Sequence, residues 1–184
     1  MTIFAAAIGA FGVAAGLALS GTLQNFTSGI LILLLKPFKV GDNIISQGQE
    51  GTVNSIQIFY TIVTTYDNKS VIIPNSKLSN EVIINISREG KRRLDFEIKF
   101  NFGVDFNQIK EILDETLKSN ENILKEPERR IGITKVEADG YTVLLNVWIN
   151  AHGFTDTRLF LYGQLLNSLK TSGIKLPGLE SPAI

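Results

Sequence analysis

The chain has 184 residues, with 18 basic and 18 acidic side chains, one histidine and no cysteine, and 44% of it is hydrophobic. The zero formal charge argues against a strongly basic nucleic-acid-binding surface. The lack of cysteine excludes disulfides and thiol catalysis, and the lone His152 excludes a multi-histidine metal centre.

Residues 1–35 contain no Asp, Glu, Lys or Arg, and Lys36 and Lys39 follow at once. About 20 apolar residues cross a bilayer, so this segment is long enough to span one. The lysines supply the positive flank expected at a cytoplasmic surface. A signal peptide would be shorter, with a basic start and a small-residue cleavage site. The segment is interrupted by Ser20-Gly21-Thr22, Gln24-Asn25 and Thr27-Ser28-Gly29. This pattern predicts a membrane helix over 2–20, a bend near Gly21, where the absent Cβ weakens the helix, and a second apolar helix over 22–35 that can lie along the membrane surface.

On a wheel of about 100° per residue, Phe4, Ile8, Phe11 and Leu19 fall on one side of the first helix. Ala6, Ala10, Val13 and Leu17 fall opposite. One flank between them is Ala5, Gly9, Gly12 and Gly16; the other is Ala7, Ala14 and Ala18. A glycine flank can receive the alanine flank of a second copy, because small residues let backbones approach. Repeated about an axis, that contact closes a ring whose inner strip carries Val13 and Leu17. A two-fold dimer through Gly12-Val13-Ala14-Ala15-Gly16 fits the same pattern equally well.

From Phe38 to Ile86 the sequence reads as five short strands: 38–45, 52–58, 60–66, 69–73 and 82–86. Asp67-Asn68 reads as a hairpin turn, Pro74 as a strand end, and Asn75 as the cap of one helical turn over Ser76–Leu78. Five strands in so short a stretch predict a small, bent β-barrel. Next, Leu94, Phe96, Ile98, Phe100 and Phe102 alternate with polar residues in a half-buried strand. A helix follows from Asp105 to Asn120, then strands over 130–136 and 141–149, then a helix from Thr155 to Ser172. The order β-α-β-β-α suits a ferredoxin-like α+β layer. Trp148 reads as core, and Glu126, Glu128, Glu137 and Asp139 as surface. The basic run Arg88, Lys91, Arg92 and Arg93 reads as a solvated linker, with an anion-attracting surface as the second reading.

Several motifs occur in register: Gly12-Val13-Ala14-Ala15-Gly16-Leu17-Ala18-Leu19, Pro37-Phe38-Lys39-Val40-Gly41-Asp42, Gly51-Thr52-Val53, Ile73-Pro74-Asn75-Ser76-Lys77-Leu78 and Ile84-Asn85-Ile86-Ser87-Arg88. Together they resemble the mechanosensitive channels of small conductance, from roughly Ala5 to Leu176. The resemblance implies a membrane α-helix followed by a small Sm-like β-barrel domain and a ferredoxin-like α+β domain. The corresponding parts are 1–36, 37–87 and 88–184. It implies a homoheptamer in a bacterial-type inner membrane, with the C-terminal part in the cytoplasm. It places Val13 and Leu17 at the pore constriction, Gly12, Gly16 and Ala14 in the helix packing, and Gly21 and Gly29 at two hinges. The wheel adds Gly9 and Ala18 to the packing flanks.

This chain departs from the family in carrying Val13 where a leucine is common. It starts almost at the pore helix, as if upstream spans were missing. After Leu176, where the family often adds a strand of an axial barrel, Pro177–Ile184 holds two prolines. The expected function is a tension-gated, weakly selective channel that releases solutes on hypo-osmotic shock. Its partners would be membrane lipid, copies of itself, and permeating ions and small solutes. No catalytic residue, metal site, cofactor or nucleic acid is expected. The competing reading is a non-conducting, membrane-anchored oligomeric scaffold whose Sm-like domain binds a partner or nucleic acid.

Overall fold

A computed structural model describes residues 2–118 and 120–174 of the chain. The expectation for Pro177–Ile184 lies outside the described residues. Two compact units meet in the chain at Arg88 and Glu89.

The first unit begins with α1, Thr2–Leu35, a single uninterrupted helix of 34 residues. The sequence predicted two helices parted at Gly21, and the structure corrects this. A helical glycine costs only about 1 kcal/mol relative to alanine. The polar side chains near it turn their hydrogen bonds inward: Ser20 Oγ donates to Leu17 O at 2.8 Å, Asn25 Nδ2 to Gly21 O at 2.9 Å, and Thr27 Oγ1 to Leu23 O at 2.9 Å. These three donors are therefore satisfied without breaking the helix. α1 stops where Lys36 takes a positive φ of 49° and Pro37 removes a backbone donor.

Five strands follow: β1 Asn43–Ser46, β2 Gln49–Ile56, β3 Tyr60–Thr65, β4 Ser70–Pro74 and β5 Ile84–Asn85. They form one antiparallel sheet in the order β4-β3-β2-β1-β5. β1 is shorter than predicted, because 38–42 folds into a turn. There Gly41 has φ 93° and the Asp42 carboxylate accepts from the Lys39 backbone N–H at 3.0 Å. Asn68, with φ 64°, makes the β3–β4 hairpin as its residue type predicts. The buried side chains Phe38, Ile44, Val53, Val63, Ile73 and Leu78 form the core, and Ile32 of α1 joins them.

The short helix α2, Asn75–Asn80, corrects a second expectation. Asn75 is its first helical residue rather than its cap; Pro74 stands at the cap position and its side chain makes no capping bond. The Asn75 amide is fully buried and spent on the sheet instead.

The second unit runs β6 Lys91–Phe100, α3 Phe106–Lys118, β7 Arg130–Glu137, β8 Gly140–Asn150 and α4 Phe154–Thr171. Its antiparallel sheet has the order β6-β8-β7. One face of β8 buries Val143, Leu145, Val147 and Ile149 against Ile109, Leu113 and Leu117 of α3 and Leu161, Leu165 and Leu169 of α4. Trp148 falls on the other face of β8, half-buried, with Lys91 Nζ 5.9 Å from its ring centroid. The strand's two-residue period puts Trp148 opposite the core, so its reading as core was wrong.

Asp95 and Asp114 of this unit have carboxyls held below their usual range. Asp95 is held there by Arg93 at 2.7 Å, with Asn146 adding a smaller bond, and Asp114 by Arg129 at 2.6 Å. A depressed folded-state value contributes stability that is complete above the unfolded value, about 3.9, and is lost as pH falls through the folded one. The melting temperature should therefore fall on acidification below about pH 4. A melting temperature unchanged from about pH 6 to about pH 3 would contradict this.

Candidate functional site

The upper two-thirds of α1 is exposed almost throughout among the described residues. Val13 and Leu17 lie one turn apart and are 64% and 71% exposed. Gly9, Gly12, Gly16 and Gly21 each have open space where a Cβ would stand. Ala14 and Ala18 are exposed as well. The structure therefore keeps the proposed constriction and packing residues on one helix, at the spacing the wheel gives them. Among the described residues it brings them against no partner surface. α1 is the described helix that is long and apolar enough to cross a membrane.

The lower third of α1 is different. Asn25, Phe26, Ser28, Gly29 and Ile32 recur every three or four residues and form one stripe. That stripe seats the helix on the β domain. The Ser76 backbone N–H donates to Asn25 Oδ1 at 2.9 Å. The Phe26 and Phe59 rings meet at 6.2 Å. A Cβ on Gly29 would fall inside the Ile58 carbonyl oxygen, 3.0 Å from its carbonyl carbon and 2.6 Å from Asn75 Nδ2. Ile32, 3% exposed, is core.

Asn75 organises this seat. Its Nδ2 donates to Gln57 O at 2.8 Å, its Oδ1 accepts from Thr61 Oγ1 at 2.9 Å, and its backbone N–H donates to Phe59 O at 3.0 Å. A buried amide with both ends satisfied fixes one geometry, because every alternative strands a polar group. This holds the 57–60 segment where Gly29 meets it. The sequence reading took the polar residues near Gly21 for a bend and Asn75 for a cap, and so missed the seat. The available signal was the 25, 28, 29, 32 spacing, which is the period of a docked face.

Several described polar groups of the second unit pair with one another. Lys99 Nζ is clamped by Glu137 at 2.5 Å and Asp139 at 2.7 Å, which raises its pKa and depresses that of Asp139. Arg92 lies 3.9 Å from the Phe154 ring centroid, and Arg93 is paired with Asp95. Arg92 is half-buried, while Arg88, Lys91 and Arg93 of the basic run are exposed. Among the described residues no group of three His, Cys, Asp or Glu side chains is placed to hold a metal.

α1 is thus a long, exposed, apolar helix seated at its lower end on a β domain. Two family models match the chain: "Mechanosensitive ion channel, beta-domain" over residues 21–88 and "Mechanosensitive ion channel MscS, C-terminal" over residues 94–176. The chain belongs to the MscS family of mechanosensitive channels, which are not enzymes. A small-conductance mechanosensitive channel of Edwardsiella ictaluri is 34% identical over 91% of this chain and 59% of its own length. An uncharacterised MscS family protein of Buchnera aphidicola is 33% identical over 94% of this chain and 61% of its own. The chain thus spans about three-fifths of these relatives. The crystal structure of Helicobacter pylori MscS in its closed state superposes with a TM-score of 0.87 at 27% identity, covering 100% of this chain and 73% of that one. Arabidopsis thaliana MSL1 gives 0.73 at 25% identity, over 93% and 64%.

Proposed function

We propose that the chain is the pore-forming part of a tension-gated, weakly selective channel that releases ions and small solutes on hypo-osmotic shock. The observation that carries this reading is α1: apolar, exposed over its upper two-thirds, and bearing glycines with no packing reason in their own chain. Glycines that touch nothing at home make sense as contacts with another copy. The copies form a homoheptamer, as in the resemblance, with Gly9, Gly12 and Gly16 receiving the neighbour's Ala14 and Ala18. Val13 and Leu17 then form apolar collars around the axis. Dry collars stop ions by desolvation, and widening wets them. Tension favours the state of larger area in the membrane plane, so the helices tilt, with Gly21 and Gly29 as the points of adjustment. No charged side chain lines residues 2–35, which favours low selectivity.

The other parts fit this arrangement. The strand order β4-β3-β2-β1-β5 supports an Sm-like reading of the first sheet, and β-α-β-β-α supports a ferredoxin-like reading of the second unit. Lys36 and Lys39 favour a C-terminal part in the cytoplasm of a bacterial-type inner membrane, with lipid around α1. No cofactor, metal or nucleic acid enters this mechanism.

Patch recording of the complete channel tests the reading directly. Currents that rise steeply with applied suction are expected; silence at lytic tension contradicts conduction and favours a membrane-anchored scaffold. A second recording tests the packing. Gly12→Leu or Gly16→Leu places a bulky side chain where the neighbour's Ala14 or Ala18 must slide. Each should raise the opening tension, and an unchanged tension for both would count against the glycine–alanine contact.

A further inference from the structure

The end of α1 is fastened from the far end of its own unit. The Arg88 guanidinium donates through Nη1 to two backbone carbonyls just past the helix, Pro37 O at 3.0 Å and Lys36 O at 3.3 Å. Carbonyls at a helix C-terminus carry partial negative charge, which a cation complements. Asn85 completes the fastening. Its Oδ1 accepts from the Arg88 backbone N–H at 2.9 Å, and its Nδ2 donates to Asp42 Oδ2 at 2.8 Å. That same Asp42 oxygen accepts from the Lys39 N–H, so the turn after the helix, Asn85 and Arg88 form one continuous chain of bonds.

Arg88 is also the last residue of the first unit, and the chain runs from it through Glu89 into β6. The other bases of its run point elsewhere: Lys91 to Trp148, Arg92 to Phe154 and Arg93 to Asp95. One residue therefore carries both the covalent link to the second unit and the side-chain grip on the helix end. Building on the channel reading above, we infer that Arg88 is a positioning residue for gating. It holds the base of α1 in its resting pose, and a pull on the linker at Glu89 reaches the helix end through its guanidinium. The contact belongs to a conformation that superposes on a closed-state relative. Releasing it favours opening.

The test compares Arg88→Ala, Arg88→Gln and Arg88→Lys in the complete channel, by patch recording and by hydrogen exchange. Arg88→Ala should open at lower tension, with the open-to-closed ratio at fixed sub-threshold suction raised at least about fivefold, the effect of losing one charge-assisted bond. Arg88→Gln keeps bulk without charge and should behave alike. Arg88→Lys keeps the charge at the helix end but not the fork, and should recover part of the shift. The Lys36 and Asp42 amides should exchange faster in the alanine and glutamine variants than in the parent. Faster exchange with unchanged opening tension would make Arg88 a local brace and overturn the inference, as would unchanged exchange. A parent channel silent under tension would sink the channel reading by itself. The exchange of Lys36 would still decide whether Arg88 holds the helix end.

Discussion

Leu17→Ser should leave the channel leaking at rest, or opening at much lower tension. Val13 and Leu17 are one turn apart on the same strip, so in a ring they make two collars about 6 Å apart along the axis. Each buried methylene is worth about 0.8 kcal/mol of aversion to water, and every copy in the ring loses the leucine's methyl groups together. A hydroxyl in their place offers water a partner where it had none. Val13→Ser should leak less, because less apolar bulk is lost. Phe11→Ser is the control: it is equally exposed in the single chain but points away from the strip, and should not leak by this route. If Leu17→Ser conducts like the parent at rest and under tension, the gate lies elsewhere.

Gly29→Ala should damage the first unit severely for a change of one methyl group. The added carbon would overlap the Ile58 carbonyl and press on Asn75, and neither can yield easily. Ile58 sits in the short segment whose flanking carbonyls, Gln57 and Phe59, are both bonded to Asn75. Asn75 itself is buried and doubly satisfied, so a shift there breaks bonds to Gln57 and Thr61. Overpacking of this kind costs about 1–3 kcal/mol, paid in every copy. The expected result is a lower melting temperature and poor recovery of assembled channel. A Cβ on Gly21 meets nothing among the described residues, so Gly21→Ala should melt no lower than the parent. Equal stability of the two variants would show that α1 does not rely on its seat at Gly29.

Much of this was legible in the sequence, for separable reasons. The charge-free stretch and its lysine flank announce a membrane helix because the bilayer penalises charge whatever the tertiary fold. The alternation from Leu94 to Phe102 and the helix periods after it announce a sheet covered by helices, since each element must bury one stripe. What misled was residues whose partners or facing the residue type alone does not reveal. Ser20, Asn25 and Thr27 look like a break, yet they bond back into their own helix. Asn75 looks like a cap, yet its amide is claimed by Gln57 and Thr61. Trp148 looks like core by size, and only the phase of β8 places it on the other face. The grip of Arg88 on Lys36 and Pro37 joins residues about fifty positions apart, and no local pattern marks such a pair.

The central claim is that copies of α1 close into a ring with Val13 and Leu17 facing its axis. The mass of the complete protein released from mild detergent into native mass spectrometry tests this most directly. The account predicts a single closed assembly of seven copies; a clean monomer or two-fold dimer across several mild detergents would contradict it.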